Sequence, residues 1–335
     1  MRARGRSLAS LASLASLALL AIGCVPSFDD NLSTIEQPQV LAVQAEPAEA
    51  APGEAVQLHA LVATPDVNGA APKLVWGLCT ARKPLTELGP VNTVCIQAPS
   101  GAPDSIIALG SGASVKATLP MDACRLFGPS LPEPMNGEPA GRPVDSDPTG
   151  GFYQPVTVTL LSDSVTTLGA VRIFCPPSGL DQEQAAAFNM SYRRNENPLI
   201  DRISTLDDAG KATPVPDAGA ATSLEVHAGQ VVHFQTAWSA CSASEVCTGA
   251  ETYVAFNADT RALDTKHESL RVSWYATAGT FAHAVTGRGE DEFASTATDN
   301  TWTAPSETTS TQVWLVIRDS RGGQSFQRFT VSVKP

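Results

Sequence analysis

The chain has little with which to do chemistry. Its 335 residues hold five histidines, His59, His227, His233, His267 and His283, with no H-E-x-x-H pair and no i, i+4 spacing. That pattern gives a zinc hydrolase no ligand set. G-x-S-x-G and S-x-x-K are also missing, and with them the common serine-nucleophile signatures. Gly110-Ser-Gly112-Ala-Ser-Val is Gly-rich, but it leads into a predicted strand and lacks the P-loop lysine, so it reads as a turn. Basic residues are scarce, 22 against 34 acidic, for a net charge of −12. Such a body repels phosphate backbones, which argues against nucleic acid as a partner, and it offers no basic patch for anionic lipid. Long apolar runs are absent after residue 24. No cofactor signature stands out, and none is expected.

What is present begins at the N-terminus. Arg2, Arg4 and Arg6 form a cationic head with no acid before residue 24, and Leu8–Gly23 is an apolar run built on Leu-Ala-Ser. Sixteen residues fall short of the roughly 20 that a spanning helix needs, so the run is a secretory signal. It ends in Ala21-Ile22-Gly23-Cys24, which resembles the bacterial lipobox, with Ala21 standing where leucine is usual. The resemblance implies that Cys24 carries diacylglycerol on its thiol, becomes the first mature residue, and takes a further fatty (palmitate-type) acyl chain on its amine. A thiolate is nucleophilic enough to accept the lipid, and several acyl chains hold a protein on a bilayer. Val25, rather than Asp, follows the cysteine. That leans the expected location towards the outer membrane of a cell envelope, on its periplasmic face or at the cell surface.

Seven cysteines are an odd number, but lipid consumes Cys24 and leaves Cys79, Cys95, Cys124, Cys175, Cys241 and Cys247. No C-x-x-C spacing and no nearby histidine pattern suggests a metal, so three disulfides in an oxidising compartment are expected. Six cysteines allow 15 connectivities. Cys241–Cys247, across a short polar loop, is the firmest pair; Cys79–Cys95 and Cys124–Cys175 complete the favoured set.

From Gln37 the sequence alternates in short runs broken by Pro, Gly, Asn and Asp, the signature of a sandwich or barrel. Val56, Leu58, Ala60 and Val62 share one face, and Val156, Val158 and Leu160 alternate with threonines. Asp181–Met190 suits a helix of two to three turns, with Ser178 as its expected cap and Pro198 beyond its end. The expected organisation is a signal peptide over 1–23, a tether over 24–36, a first β-sandwich over 37–179, a helical connector over 180–196 and a second sandwich over 197–335.

The second β region reads as a copy of the first. Pro38–Val43 parallels Pro198–Ile203, Gly53–Leu58 parallels Gly229–Phe234, and the strand with Trp76 parallels the one with Trp274. Leu160-Leu-Ser-Asp163-Ser164 parallels Val316-Ile-Arg-Asp319-Ser320. The spacers differ: Gly53 to Trp76 is 23 residues and Gly229 to Trp274 is 45, so an insertion is expected around Cys241–Glu268. Trp274-Tyr-Ala-Thr-Ala-Gly279-Thr-Phe281, then Trp302-Thr-Ala-Pro305, then Asp319-Ser-Arg-Gly322-Gly323, resembles bacterial immunoglobulin-like domains. The likeness implies an all-β fold of two immunoglobulin-like sandwiches in tandem. The antibody-type inter-sheet cysteines are missing. Val313, Leu315 and Ile317 are expected to face inward and Arg318 outward.

Trp314 alternates away from that inner face, which makes it the candidate for a surface contact. Asp145-Ser-Asp147 and Glu290-Asp291-Glu292 offer oxygen ligands of the kind calcium takes, but no twelve-residue calcium loop is present and solvated loops are the expectation. The functional expectation is a lipid-anchored structural or interaction protein, not an enzyme, with a protein or polysaccharide partner in the envelope. The alternative is an envelope hydrolase with a non-standard active site.

Overall fold

The computed structural model describes residues 32–66, 71–84, 89–96, 104–134, 141–216, 223–242, 247–257 and 259–335. Cys24, the signal segment and the tether as far as residue 31 lie outside the described residues. Ser33–Pro335 forms one compact unit.

The first sandwich comprises β1 (Gln39–Glu46), β2 (Glu49–Ala50), β3 (Ala55–Ala63), β4 (Leu74–Cys79), β5 (Ile106–Ser111) and β6 (Ser114–Thr118). A short helix α1 (Ala123–Phe127) precedes β7 (Phe152–Leu160) and β8 (Val165–Ile173). One sheet has the order β1-β3-β6 and the other β2-β8-β7-β4-β5. Helix α2 (Gln182–Ser191) follows. Its cap is Asp181 rather than Ser178, because Asp181 and Gln184 form a reciprocal capping box that Ser178, one turn earlier, cannot make.

The second sandwich begins with β9 (Arg202–Leu206), β10 (Ala212–Pro214), β11 (Leu224–His227) and β12 (Val231–Ala237). The expected insertion is a hairpin of β13 (Thr252–Asn257) and β14 (Ala262–His267). Strands β15 (Leu270–Ala276), β16 (Thr280–Phe281), β17 (Val285–Arg288), β18 (Ala297–Thr303), β19 (Ser310–Asp319) and β20 (Gln324–Lys334) complete it. Its sheets run β10-β9-β12-β18-β16 and β11-β20-β19-β15-β17.

The strand orders correspond fully in one pair of sheets, β2-β8-β7-β4-β5 with β11-β20-β19-β15-β17, and in the other β1-β3-β6 corresponds to the central β9-β12-β18, which carries β10 and β16 as added edges. In each sandwich a short strand pairs in parallel with the last strand, β2 with β8 and β11 with β20, while the other pairs of those sheets are antiparallel. Both are immunoglobulin-like sandwiches. Trp76 and Trp274 occupy the same position, on the strand next to β7 or β19, and both are fully buried. Gly53 and Gly229 both take positive φ at the turn before the second long strand, a conformation that costs glycine nothing.

Pairing also corrects the expected alignment of the last hairpin. Trp76 faces Val158, and Trp274 faces Leu315. Leu160 therefore corresponds to Ile317, not Val316. The Asp-Ser match had slipped the strand by one residue, and a one-residue slip exchanges inner for outer positions. With the tryptophans aligned, Thr157 and Thr159 correspond to Trp314 and Val316.

Each sandwich closes on its own core. Val56, Leu58, Trp76, Val156, Val158 and Leu160 fill the first. Phe234, Trp274, Trp302, Val313, Leu315 and Ile317 fill the second. Val313, Leu315 and Ile317 face inward, as their alternation predicts. A third apolar cluster lies between the sandwiches: Trp314 and Val316 of β19 pack with Ile35, Leu41, Ala42, Leu61 and Ala63. A register shift between Val40 and Ala42 in β1 lets Leu41 and Ala42 turn outward while Val43 and Ala45 stay in the first core.

Candidate functional site

The polar counterpart of that third cluster is built on the β19–β20 turn. Asp319 Oδ1 accepts from the backbone N–H groups of Arg321 (2.8 Å) and Gly323 (2.9 Å), and Gly322 supplies the positive φ that closes the hairpin. The turn places Arg321 at 0% exposure. Its guanidinium pairs with Glu251 at 2.5 Å and Glu268 at 2.6 Å, donates to the Arg193 carbonyl at 3.0 Å, and lies 4.8 Å from the centre of the Tyr253 ring. The hairpin insertion supplies these partners: Glu251 and Glu268 sit just outside its two strands and bind each other's backbone. Burial works against the Arg321 charge, but the two glutamates outweigh it and hold its pKa above the ordinary value.

The first sandwich meets this turn with a second buried cation. Arg172 pairs with Glu49 at 3.3 Å and donates to Thr149 Oγ1 (2.7 Å) and the Tyr153 hydroxyl (3.0 Å). Tyr153 donates to Asp147 Oδ2 and also reaches the Arg321 carbonyl, so both sandwiches share one network. The connector joins it from the side: Tyr192 donates to Glu49, the Asn195 backbone donates to Glu49 at 2.9 Å, and the Asn195 amide reaches Asp319. Asn197 bridges the Ala45 carbonyl and the Gln324 N–H. Burial raises Glu251 to about 7 and pushes Glu268 and Asp319 above their usual range, with the Glu268 carboxylate adding to the rise of Glu251 and Asp319.

Beside this junction opens a cleft of about 730 Å³. Leu41, Leu126, Phe127, Val144 and Leu168 give it apolar walls, and Arg82, Lys83 and Arg318 stand around it. A second hollow, of about 510 Å³, lies on the β9–β12–β18 sheet and holds His233, His283, Asp207, Asp208 and Asp299. Its polar groups serve local structure: Asp207 accepts from the Ala209 and Lys211 N–H groups, Asp299 from Gln235, and His233 meets Thr301.

The expected site residues fall as follows. Disulfides join Cys79 to Cys95, Cys124 to Cys175 and Cys241 to Cys247. Trp314 is corrected: it is 3% exposed and offers no surface contact, because the outward face that alternation assigned to it is covered by the first sandwich. The end of the expected tether is also docked, since Ile35 is buried and Ser33 and Ile35 exchange backbone hydrogen bonds with Ala276. Arg318 is half-buried and donates to the Leu41 carbonyl at 2.6 Å. Asp145 pairs with Arg142, and Asp147 takes hydrogen bonds from Thr149, Gly151 and Tyr153. Glu292 meets Arg288 at 3.7 Å. Among the described residues, no group of three or more His, Cys, Asp or Glu is placed to hold a metal ion, and no helix is long and apolar enough to cross a membrane.

Sequence reasoning missed the junction entirely. Its one visible signal was a charged residue, Arg321, in a turn flanked by two strongly apolar strands.

No protein-family model matches the chain, and no curated protein matches it. Solved structures give distant matches. Dimeric latent PorU from Porphyromonas gingivalis matches at 10% identity and a TM-score of 0.19, over 89% of this chain and 24% of that one. The three N-terminal domains of the bacteriophage RB49 highly immunogenic outer capsid protein match at 9% and 0.18, over 88% and 59%. Escherichia coli alpha-2-macroglobulin activated by porcine elastase matches at 9% and 0.20, over 90% and 22%. The chain thus spans less than two thirds of each, and likenesses at these scores carry no argument.

Proposed function

We propose that the chain is a lipid-anchored protein of a bacterial cell envelope, held by acyl chains on Cys24, whose paired sandwiches bind a protein or polysaccharide partner. One observation carries the binding role. The two sandwiches are locked by an apolar cluster and a buried ionic network into a body that keeps a cleft of about 730 Å³ open at their junction. A preformed concavity of this size falls within the range used for ligands. The lipobox-like Ala21–Cys24 and the three disulfides support an extracytoplasmic, membrane-held location.

Two measurements test this reading. Fractionation of cells making the wild-type chain should place it with outer membranes, and Cys24→Ala should release it to the soluble fraction. Unchanged partition of the variant refutes the anchor. For the binding role, a photo-crosslinking residue at Asn92 in the cleft should give a discrete adduct in intact envelopes, and one at Lys211 in the exposed β9–β10 turn should not. Equal, diffuse adducts from both positions refute it.

A further inference from the structure

Within an acidic chain, the cleft collects cations that have no acidic partner among the described residues. Arg82 donates to the Arg142 carbonyl at 3.2 Å, Lys83 to the Gly89 carbonyl at 2.5 Å, and Arg318 to the Leu41 carbonyl and the Ser273 hydroxyl. None of the three forms an ion pair among the described residues. The carboxylates on the same wall are engaged: Asp145 with Arg142, and Asp147 with one hydroxyl-bearing threonine, two backbone N–H groups and a tyrosine. The described lining, with Arg82, Lys83 and Arg318 against Asp145 and Asp147, therefore presents a net positive charge to whatever enters it. Burial, and then the charge of Arg125, lowers the pKa of Arg82, as expected of a cation held near another cation.

The remaining wall is apolar. Leu41 comes from β1, Leu126 and Phe127 from α1, Leu168 from β8, and Val144 from the segment before β7. We propose that this cleft is a binding site for a single-chain anionic amphiphile, its apolar tail against Leu126, Phe127 and Leu168 and its head group on Arg82 and Lys83. Arg318 reaches the cleft from the second sandwich, so the site exists only while the sandwiches are joined. The proposal rests on the reading of the protein as a binder and gives that binder its ligand chemistry.

The test is calorimetric titration of the purified full chain carrying Cys24→Ser, with probes kept below their micelle concentrations. Decanoate and decyl phosphate separate the two head-group chemistries, decanol lacks the charge, and inorganic phosphate lacks the tail. At least one ten-carbon anion should bind saturably at one site per chain. Decanol should bind at least ten-fold more weakly, and phosphate alone should give no saturable heat. Arg82→Gln should weaken the anion about ten-fold, a typical loss for one charged contact, while Lys211→Gln, in the exposed β9–β10 turn of the second sandwich's other sheet, should leave it unchanged. Phe127→Ala should weaken decanoate and decanol alike. The proposal is overturned if neither anion saturates, if decanol equals them, or if Lys211→Gln costs as much as Arg82→Gln. A silent cleft would leave the fractionation result untouched, and failed anchoring would leave this titration unaffected, so the two failures are distinguishable.

Discussion

Thr157 and Trp314 occupy the same place in the two sandwiches, on the outer face of the strand opposite the buried tryptophan. In the first sandwich that face carries hydroxyls with local partners: Thr157 donates to the Gly77 carbonyl and Thr159 meets Thr166. In the second it carries Trp314 and Val316, which meet Leu41 and Leu61 across the junction. The hairpin turns that end these strands differ in the same way. Residues 161–164 are exposed, whereas Asp319, Arg321 and Gly323 are buried and charged groups converge on them. The inner faces correspond because the core specifies the fold. The outer face is under no such demand, and in the second sandwich it is the platform on which the first is mounted.

The sharpest way to break this comparison is to disable one turn and then the other. Arg321→Ala leaves Glu251 and Glu268 buried without their cation and should cost about 3–5 kcal/mol of stability. Asp163→Ala, in the exposed turn of the first sandwich, should stay within about 0.5 kcal/mol. Urea unfolding of the full chain reads both, and similar losses would show that the turns are not differently employed.

Next in size is the platform itself. Trp314→Ala should cost about 3 kcal/mol, towards the lower end for a buried tryptophan, because two sandwiches can close partly on the gap. Thr157→Ala removes one hydroxyl contact and should cost about 1 kcal/mol. A Trp314 variant as stable as the Thr157 variant would place the apolar cluster outside the energetics of the junction.

The junction should also respond to pH where the first sandwich alone would not. Glu251 rises from 4.5 to about 7 on folding. A folded-state pKa above the unfolded one means that the native chain binds the proton more tightly. The associated stability is full below about pH 4.5 and is lost as pH rises towards 7, by about 2–3 kcal/mol at most. Glu268 and Asp319 shift in the same direction. Midpoints of urea unfolding should therefore fall between pH 5 and pH 7.5, and Glu251→Gln, which keeps an oxygen for Arg321, should flatten that slope. A slope unchanged in the variant would assign it to the general acidity of the chain.

Much of this fold was legible because it obeys a period. Alternation located Val56, Leu58, Val313 and Leu315, and two tryptophans with two glycines exposed the duplication. Alternation also put Trp314 on the outer face, which was right, and read outer as wet, which was not. Whether an outward face meets water depends on contacts such as Trp314 to Leu41, some 270 residues apart, and no local pattern encodes them. The same limit applies to the cleft: Arg82 and Arg318 are 236 positions apart, so a chain with no linear basic patch can still assemble one.

The smallest effect belongs to the connector, where the two unlike faces are joined. Helix α2 is tied to the first sandwich through Tyr192 and Glu49, and to the hairpin insertion through Gln184, which donates to the Arg261 carbonyl at 2.6 Å. Gln184 also closes the capping box with Asp181. Asp181→Ala removes only the cap and should cost about 1 kcal/mol. Gln184→Ala removes its half of the box and the hairpin contact together, so any excess over Asp181→Ala reports how firmly the helix is held to the second sandwich. Hydrogen exchange should then show faster opening of both α2 and the β13–β14 turn in Gln184→Ala, but of α2 alone in Asp181→Ala. If the two variants exchange alike, the helix is a spacer that leans on the insertion without being fixed by it, and the apolar cluster and the Arg321 network hold the sandwiches together unaided.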